Sequence, residues 1–177
     1  LEPRFKCIGS ELWSDEPSFA ETLSDTGVTG ICGSGIIEVV AEMYLAGIVS
    51  TDGVVDGALE GQTSRIKKDG RTWSYVLHEA DSPETSDVVI TQTDVRQIQL
   101  AKAALYAGIR LLMDEMGVTT VDRIRLAGAF GSHISVSHAM VLGLIPDCDL
   151  EQVTSAGNAA GAGARMALLD RNARLEI

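Results

Sequence analysis

The sequence predicts an α/β fold in which a three-stranded meander is extended by parallel strands with helices between them. Two observations support this class. Apolar residues recur at spacings of three and four from Val95 to Met116, which is the period of a helix buried on one face. From residue 65 onward, short extended runs alternate with helical patterns, and glycine or Asp-Gly separates them. That alternation is typical of α/β domains.

Length and composition fit a soluble globular protein. The chain has 177 residues, of which 45% are apolar and 22% charged, and a domain of this size buries about 70% of the surface that its unfolded chain exposes. No window approaches the roughly 18 apolar residues of a membrane span, and the first residues lack the regions of a signal peptide. We therefore expect a cytoplasmic protein with no membrane partner.

The net charge is −11, from 14 Lys and Arg against 25 Asp and Glu, and it repels the phosphate backbone of nucleic acids. Nucleic acid is therefore not expected as a partner. An acidic chain can still bind a small phosphate, because backbone N–H groups at a helix start supply local positive potential.

No catalytic residue and no metal centre are predicted. The three cysteines Cys7, Cys32 and Cys148 lie far apart and form neither a CxxC pair nor a zinc pattern. They cannot hold an iron–sulfur cluster unaided, because such clusters usually take four Cys ligands. No pair of carboxylates has a spacing that requires a metal ion.

Local signals place the first elements. Residues 1–29 are polar and rich in turn formers, and we interpret them as a lead-in segment from an absent upstream part. A broad apolar face that begins at Ser34 or Gly35 predicts a helix. The dipeptide Asp69-Gly70 between two extended runs predicts a β-hairpin with a type I′ turn. The apolar run DVVIT then predicts a short strand.

The later elements follow from the same kinds of signal. A helix over residues 94–116 is predicted to begin at a side-chain cap from Thr93 or Asp94. RIRLAGAFGS predicts a strand that runs into glycines, and SVSHAMVLG predicts a short helix capped by Ser135 or Ser137. QVTSAGNAAGAGARMALLD predicts a strand, a glycine turn and a helix.

The order hairpin, strand, helix, strand, helix, strand, helix is that of ribonuclease-H-like α/β domains. We therefore predict that residues 30–177 form one ribonuclease-H-like lobe, a mixed sheet flanked by helices, behind the lead-in segment of residues 1–29.

Glycine-rich junctions occur at residues 30–35, 128–131 and 157–163. In open α/β sheets, ligands bind at the carboxyl ends of strands, where such junctions meet the N-termini of helices. Glycine allows a phosphate or a flat ring to approach the main chain closely. The three junctions therefore predict one ligand cleft, in which their backbone N–H groups face a shared anion.

Each junction also has a purely structural interpretation. Residues 30–35 match neither GxxxxGK[ST] nor GxGxxG, so they either cradle an anion or only permit a tight turn. The strand end at residues 128–131 either takes a flat ring or makes room for helix packing, with Phe130 in the pocket or in the core. Gly161 and Gly163 each cost a helix about 1 kcal/mol against alanine. A close ligand or backbone, or tight helix–sheet packing, would explain that cost.

Four segments in order carry a resemblance to a known family. GICGSGIIEVVAEMYLAGIV, ITQTDVRQIQLAKAALYAGIRLLM, DRIRLAGAFGSHI and TSAGNAAGAGARMALL resemble the C-terminal nucleotide-binding region of the reductive activators of corrinoid proteins, over about residues 28–170. These activators are ATP-dependent, ferredoxin-like enzymes that return cob(II)alamin to cob(I)alamin. They belong to the superfamily of acetate and sugar kinases, heat-shock chaperones and actin (ASKHA), which hold ATP between two ribonuclease-H-like halves.

The resemblance implies roles for eight residues. Gly33, Ser34 and Gly35 would lie near the phosphates. Gly128, Ala129 and Gly131 would line the adenosine side, and Gly157 with Asn158 would flank the same cleft. The resemblance implies no catalytic residue, because the other half of these proteins supplies much of the phosphate and magnesium site.

The resemblance also implies cofactors and partners. ATP with Mg²⁺ would be bound by the intact protein, and a corrinoid protein would be its partner. The electron carrier would be a [2Fe–2S] cluster held by four cysteines in an upstream domain that this chain lacks. We therefore expect the C-terminal lobe of an ATP-dependent activator, inactive alone, and a homodimer is left open.

Two other functions remain open at this point. The chain is either a lobe of a sugar- or acid-kinase-like phosphotransferase, or a dimerisation scaffold without nucleotide affinity. A CxxxxCxxC motif upstream would favour the activator over the kinase.

Overall fold

A computed structural model describes residues 1–23, 27–80, 82–128 and 130–176 of the protein. They fall into two compact units, and the helices Gly33–Leu45 and Gln92–Glu115 contribute residues to both. Unit 1 comprises Leu1–Cys32 and Glu42–Gln99, and unit 2 comprises Gly33–Ala41 and Leu100–Ile177. The predicted division at residues 29 and 30 stays a prediction.

The helices and strands confirm the predicted order from residue 30 onward. The helices are α1 (Gly33–Leu45), α2 (Gln92–Glu115), α3 (Val136–Val141), α4 (Ala159–Leu169) and α5 (Ala173–Glu176). The strands are β1 (Ile66–Asp69), β2 (Thr72–His78), β3 (Val88–Ile90), β4 (Ile124–Leu126) and β5 (Val153–Ser155). None of the helices in the described part of the chain is long and apolar enough to cross a membrane.

Unit 1 is built around the antiparallel sheet β1–β2–β3. Its central strand β2 buries four consecutive residues, Ser74 to Leu77, which is typical of a strand covered on both faces. The surrounding core includes Ile48, Val49, Val55, Ile66, Ile90 and Val95.

The N-terminal segment packs on this sheet. Its one regular feature in the described residues is a 3₁₀ turn, Phe19–Thr22. The Phe5 ring contacts the His78 ring edge to face, with 5.9 Å between the ring centroids. The Tyr75 hydroxyl donates to the carbonyl oxygen of Leu1 at 3.1 Å. Burial raises the pKa of Tyr75, so its phenol keeps the proton that it donates.

The hairpin turn lies one residue later than predicted. Asp69 pairs with Thr72, so Gly70 and Arg71 are the two central residues of the turn. Gly70 has a φ of +58°, whereas Arg71 is not among the described residues with positive φ. Positive φ at the first central residue alone is the pattern of a type II′ turn, and the predicted type I′ turn is wrong. The register that buries Ile66 opposite Tyr75 decides this outcome.

Helix α2 begins earlier than predicted, and its cap is Thr91. The Asp94 carboxylate accepts from the Thr91 backbone N–H at 2.8 Å, and the Thr91 hydroxyl accepts from the Asp94 N–H at 3.2 Å. This reciprocal pair is a capping box with Asp as its acidic member. The predicted cap at Thr93 or Asp94 is wrong, because the apolar periodicity starts at Val95, one turn inside the helix.

Unit 2 contains the parallel pair β4–β5, in which Leu126 lies opposite Ser155. The α/β class with helices flanking strands agrees with the prediction, but the single mixed sheet does not. The described strands form two sheets, one antiparallel and one parallel. Local sequence patterns identify strands, but pairing between strands depends on contacts that are distant in the chain.

Ser135 occupies the N-cap position of α3, as one of the two predicted alternatives. Its hydroxyl makes no hydrogen bond to the helix backbone, however. The hydroxyl oxygen lies 2.6 Å from Nδ1 of His138, so its hydrogen-bond partner is the His138 side chain and not a backbone N–H of the first turn.

Helix α4 is capped by Asn158, whose Oδ1 accepts from the Gly161 N–H at 3.0 Å. A Cβ at Gly161 would lie 2.7 Å from Asn158 Nδ2, whereas a Cβ at Gly163 would meet no atom within 4 Å. The nearest neighbour of Gly161 is therefore the capping side chain, rather than the ligand, second backbone or sheet that the sequence suggested.

A second close contact lies in unit 1, in the 3₁₀ turn Gly57–Gly61. The Trp73 indole lies directly against Gly57, so a Cβ there would overlap the ring, whereas a Cβ at Gly61 would meet open space. Asp56 caps the turn by accepting from the Ala58 N–H at 2.9 Å.

We predict that Gly57→Ala destabilises the protein by about 1–3 kcal/mol, because the added methyl group displaces the Trp73 indole. Gly61→Ala, in the same turn, should change the free energy of unfolding by less than about 0.5 kcal/mol. Urea unfolding followed by far-UV circular dichroism measures both. Equal losses in the two variants would contradict the Trp73 contact.

In α4, Gly163→Ala should stabilise the protein by about 1 kcal/mol through helix propensity alone. Gly161→Ala should gain little, because displacing Asn158 loses a cap that is worth about 1 kcal/mol. Thermal unfolding of the two variants provides the comparison. The cap assignment would be wrong if both glycines gave the same stabilisation.

Candidate functional site

Two of the three predicted glycine junctions meet at the end of the parallel sheet in unit 2. Because β4 and β5 are parallel, their carboxyl ends lie side by side. The Gly128 N–H donates to the Gly157 carbonyl oxygen at 2.8 Å, and the Ala156 N–H donates to the Leu126 carbonyl oxygen at 2.8 Å. The loops that follow the two strands are thus joined directly.

Phe130 brings the third junction to the same place. A Cβ on Gly33, the first residue of α1, would lie 3.2 Å from the edge of the Phe130 ring. The ring is 52% exposed, so Phe130 lies at the surface beside the glycines and not in the core. The predicted convergence of the three junctions is therefore found within unit 2.

The remaining predicted residues have different positions. Ser34 and Gly35 lie in the first turn of α1 and are partly buried. Ala129 lies outside the residues that the structure describes. Gly131 makes a close approach to β4, because a Cβ there would lie 3.1 Å from Cβ of Leu126. Asn158 is committed to the cap of α4.

The backbone N–H groups of Gly128 and Gly157 do not face a shared anion. Gly128 donates to Gly157, and the Gly157 N–H donates to the Ser155 hydroxyl at 3.1 Å. The expectation of bare N–H groups at all three junctions is wrong for these two residues. The pairing of β4 with β5 brings the loops close enough to satisfy each other's polar groups.

The same two glycines leave open surface instead. Gly128 has a φ of +111° and Gly157 a φ of +64°, and a Cβ built on either would meet no atom within 4 Å. The main chain at Gly128 and at Gly157 is therefore uncovered by side chains, close to the exposed Phe130, and we call these two surfaces the open glycine faces. A flat ring can approach the main chain here, whereas an anion would find two of the N–H groups already occupied.

Sequence reasoning missed two serines at this site. The Ser155 hydroxyl donates to the Ser132 hydroxyl at 3.2 Å, and the Ser132 hydroxyl donates to the Gly128 carbonyl oxygen at 3.3 Å. A local signal existed for Ser155 only, because a serine two residues before a glycine turn commonly accepts from that backbone N–H. Nothing near Ser132 in the sequence indicates its partner.

The described side chains can be compared with the ligand groups that metal ions need. The described residues contain no group of three or more His, Cys, Asp or Glu side chains placed to hold a metal ion. They therefore do not fit an iron–sulfur cluster or a cation ligated by several carboxylates.

An open cavity of about 430 Å³ lies in unit 1, and its lining includes Asp56, Arg71 and Trp73. Of the predicted site residues, the seven that the structure describes do not contribute to its lining.

Known proteins match this chain over most of its length. A family model described as the C-terminal domain of RACo, the ASKHA domain, matches residues 1–177. The curated corrinoid activation enzyme RamQ of Eubacterium limosum is 34% identical over 157 residues, which are 84% of this chain and 26% of RamQ.

A solved structure of a reductive activator for a corrinoid, iron–sulfur protein is similar with a TM-score of 0.73 and 33% identity, over 88% of this chain and 24% of that one. The chain spans about a quarter of the length of these relatives. The match confirms the predicted resemblance and the predicted fold class. The chain belongs to the family of the C-terminal ASKHA domain of RACo.

Proposed function

We propose that the chain is the nucleotide-binding C-terminal lobe of an ATP-dependent reductive activator of a corrinoid protein. The observation that carries this proposal is the meeting of three glycine junctions in unit 2, at Gly33, Gly128 and Gly157. Membership of the RACo family and the likeness to two corrinoid activators support the same function.

The geometry supports a division of the site between the two ends of ATP. The adenosine lies along the strand end at Gly128, where the open glycine faces and the Phe130 ring accept a flat base. Gly131 packs against Leu126 at the same strand end. The phosphates extend toward Gly33, Ser34 and Gly35, where the dipole of α1 favours negative charge. Gly157 and Asn158 flank the same cleft.

In this proposal, the rest of the reaction depends on chain outside residues 1–177. That part supplies the groups that hold Mg²⁺, the [2Fe–2S] cluster and the surface for the corrinoid protein, in a cytoplasmic enzyme. ATP supplies free energy when it binds or is hydrolysed, because closure around it couples the nucleotide to an uphill electron transfer from the reduced cluster to cob(II)alamin. This chain's residues bind and orient the nucleotide.

A dimerisation lobe without nucleotide affinity is the second candidate. The C-terminal half of α2 exposes 70% of Leu111 and 67% of Leu112, and Met116, directly after the helix, is 75% exposed. Large apolar residues exposed together mark interaction surfaces. A homodimer that forms without any ATP binding would favour this candidate.

We expect isothermal titration calorimetry to detect ATP binding by the complete natural polypeptide that carries residues 1–177. Gly128→Val should abolish it, because the side chain would fill the open face above the loop. Gly9→Val is the matched control, since Gly9 also has positive φ, +92°, and open space but lies in unit 1. The proposal fails if the unmodified protein binds no ATP or if both variants lose binding equally.

Phe130→Ala should weaken the binding of ATP and GTP alike by about tenfold, because stacking on an aromatic ring contributes roughly 1–3 kcal/mol per base and tolerates any base. Phe130→Trp should preserve the affinity. Leu150→Ala truncates an apolar residue of similar exposure, 53%, elsewhere in unit 2 and is the control. Unchanged affinity in Phe130→Ala would show that the base does not stack on the Phe130 ring.

A further inference from the structure

Four hydrogen bonds form a closed ring between the two loops at the end of the parallel sheet. The Gly157 N–H donates to the Ser155 hydroxyl at 3.1 Å, and the Ser155 hydroxyl donates to the Ser132 hydroxyl at 3.2 Å. The Ser132 hydroxyl donates to the Gly128 carbonyl oxygen at 3.3 Å, and the Gly128 N–H donates to the Gly157 carbonyl oxygen at 2.8 Å.

The two hydroxyls add a side-chain connection to the backbone hydrogen bonds between the loops. The Ala156–Leu126 bond lies at the strand ends, and beyond it one backbone hydrogen bond links Gly128 to Gly157. The Ser155–Ser132 link joins the other polar group of each glycine, and it therefore sets the angle between the two open glycine faces. Glycine has more accessible backbone conformations than other residues, so these loops need such a constraint.

Both serines are exposed to solvent. Water replaces an exposed hydrogen bond at little cost in folding free energy, because both partners stay solvated. Removing either hydroxyl should therefore leave stability nearly unchanged. Its effect should appear in the geometry of the surface that the glycines form.

We infer that Ser132 and Ser155 are positioning residues, which hold the Gly128 and Gly157 faces at the angle that a flat ring requires. The inference rests on the proposed function and identifies the part of the ligand that the serines serve. They act on the base and sugar of the nucleotide, through the two loops, and leave its phosphates unaffected.

The test uses Ser132→Ala, Ser155→Ala and the double variant in the complete natural polypeptide, with Ser64→Ala in unit 1 as the matched control. Calorimetry with ATP is compared with calorimetry using inorganic tripolyphosphate, which has no ring. Each single variant should weaken ATP binding by about fivefold, because the freed loops must then be ordered when the nucleotide binds. Tripolyphosphate binding and the unfolding temperature should stay as in the unmodified protein.

The double variant should weaken ATP binding no more than either single variant, because one missing hydroxyl already opens the ring. Ser155→Thr keeps the hydroxyl and should restore the affinity. The inference is overturned if the unmodified protein binds ATP while both single variants bind it equally well. It is also overturned if tripolyphosphate binding weakens as much as ATP binding does. The same holds if the loss of ATP affinity in the double variant equals the product of the losses in Ser132→Ala and Ser155→Ala. Absence of ATP binding in the unmodified protein would instead overturn the proposed function, and this inference with it.

Discussion

The hydrogen bond from Gly128 to Gly157 is the interaction on which the site depends. It exists because β4 and β5 are parallel and in register, so that both chains leave the sheet at the same edge. Short strands of three residues each suffice, since the loops beyond them continue the connection. The open glycine faces, the serine link and the contact of Phe130 with α1 all lie within reach of that edge.

This bond also changes what the glycines offer to a ligand. A glycine-rich loop at a helix start suggests an anion site, because its N–H groups point outward. Here the N–H groups of Gly128 and Gly157 already donate hydrogen bonds within the protein, and the open main chain that remains is suited to a flat aromatic ring. In our proposal, the charge of the nucleotide is balanced at the start of α1 and by parts of the activator beyond residues 1–177.

The family assignment gives this arrangement a context. The two corrinoid activators that match this chain are more than three times as long. The described residues of this chain form loops and helices without a cluster of metal ligands. In the proposed function, such a lobe binds one side of ATP, and domain closure completes the site.

The sequence by itself determined the type and order of the elements from residue 30 onward, since helical periodicity, Asp-Gly and glycine stops are local signals. It also identified the three junctions that meet. Only the tertiary structure decided that the strands form two sheets, that Phe130 lies at the surface, and that Ser132 and Ser155 join the loops. These outcomes depend on contacts between residues far apart in the chain, which no local pattern encodes. The capping of α2 by Thr91 and Asp94 is local, whereas the shifted turn at Gly70 was decided by the register that buries Ile66 opposite Tyr75.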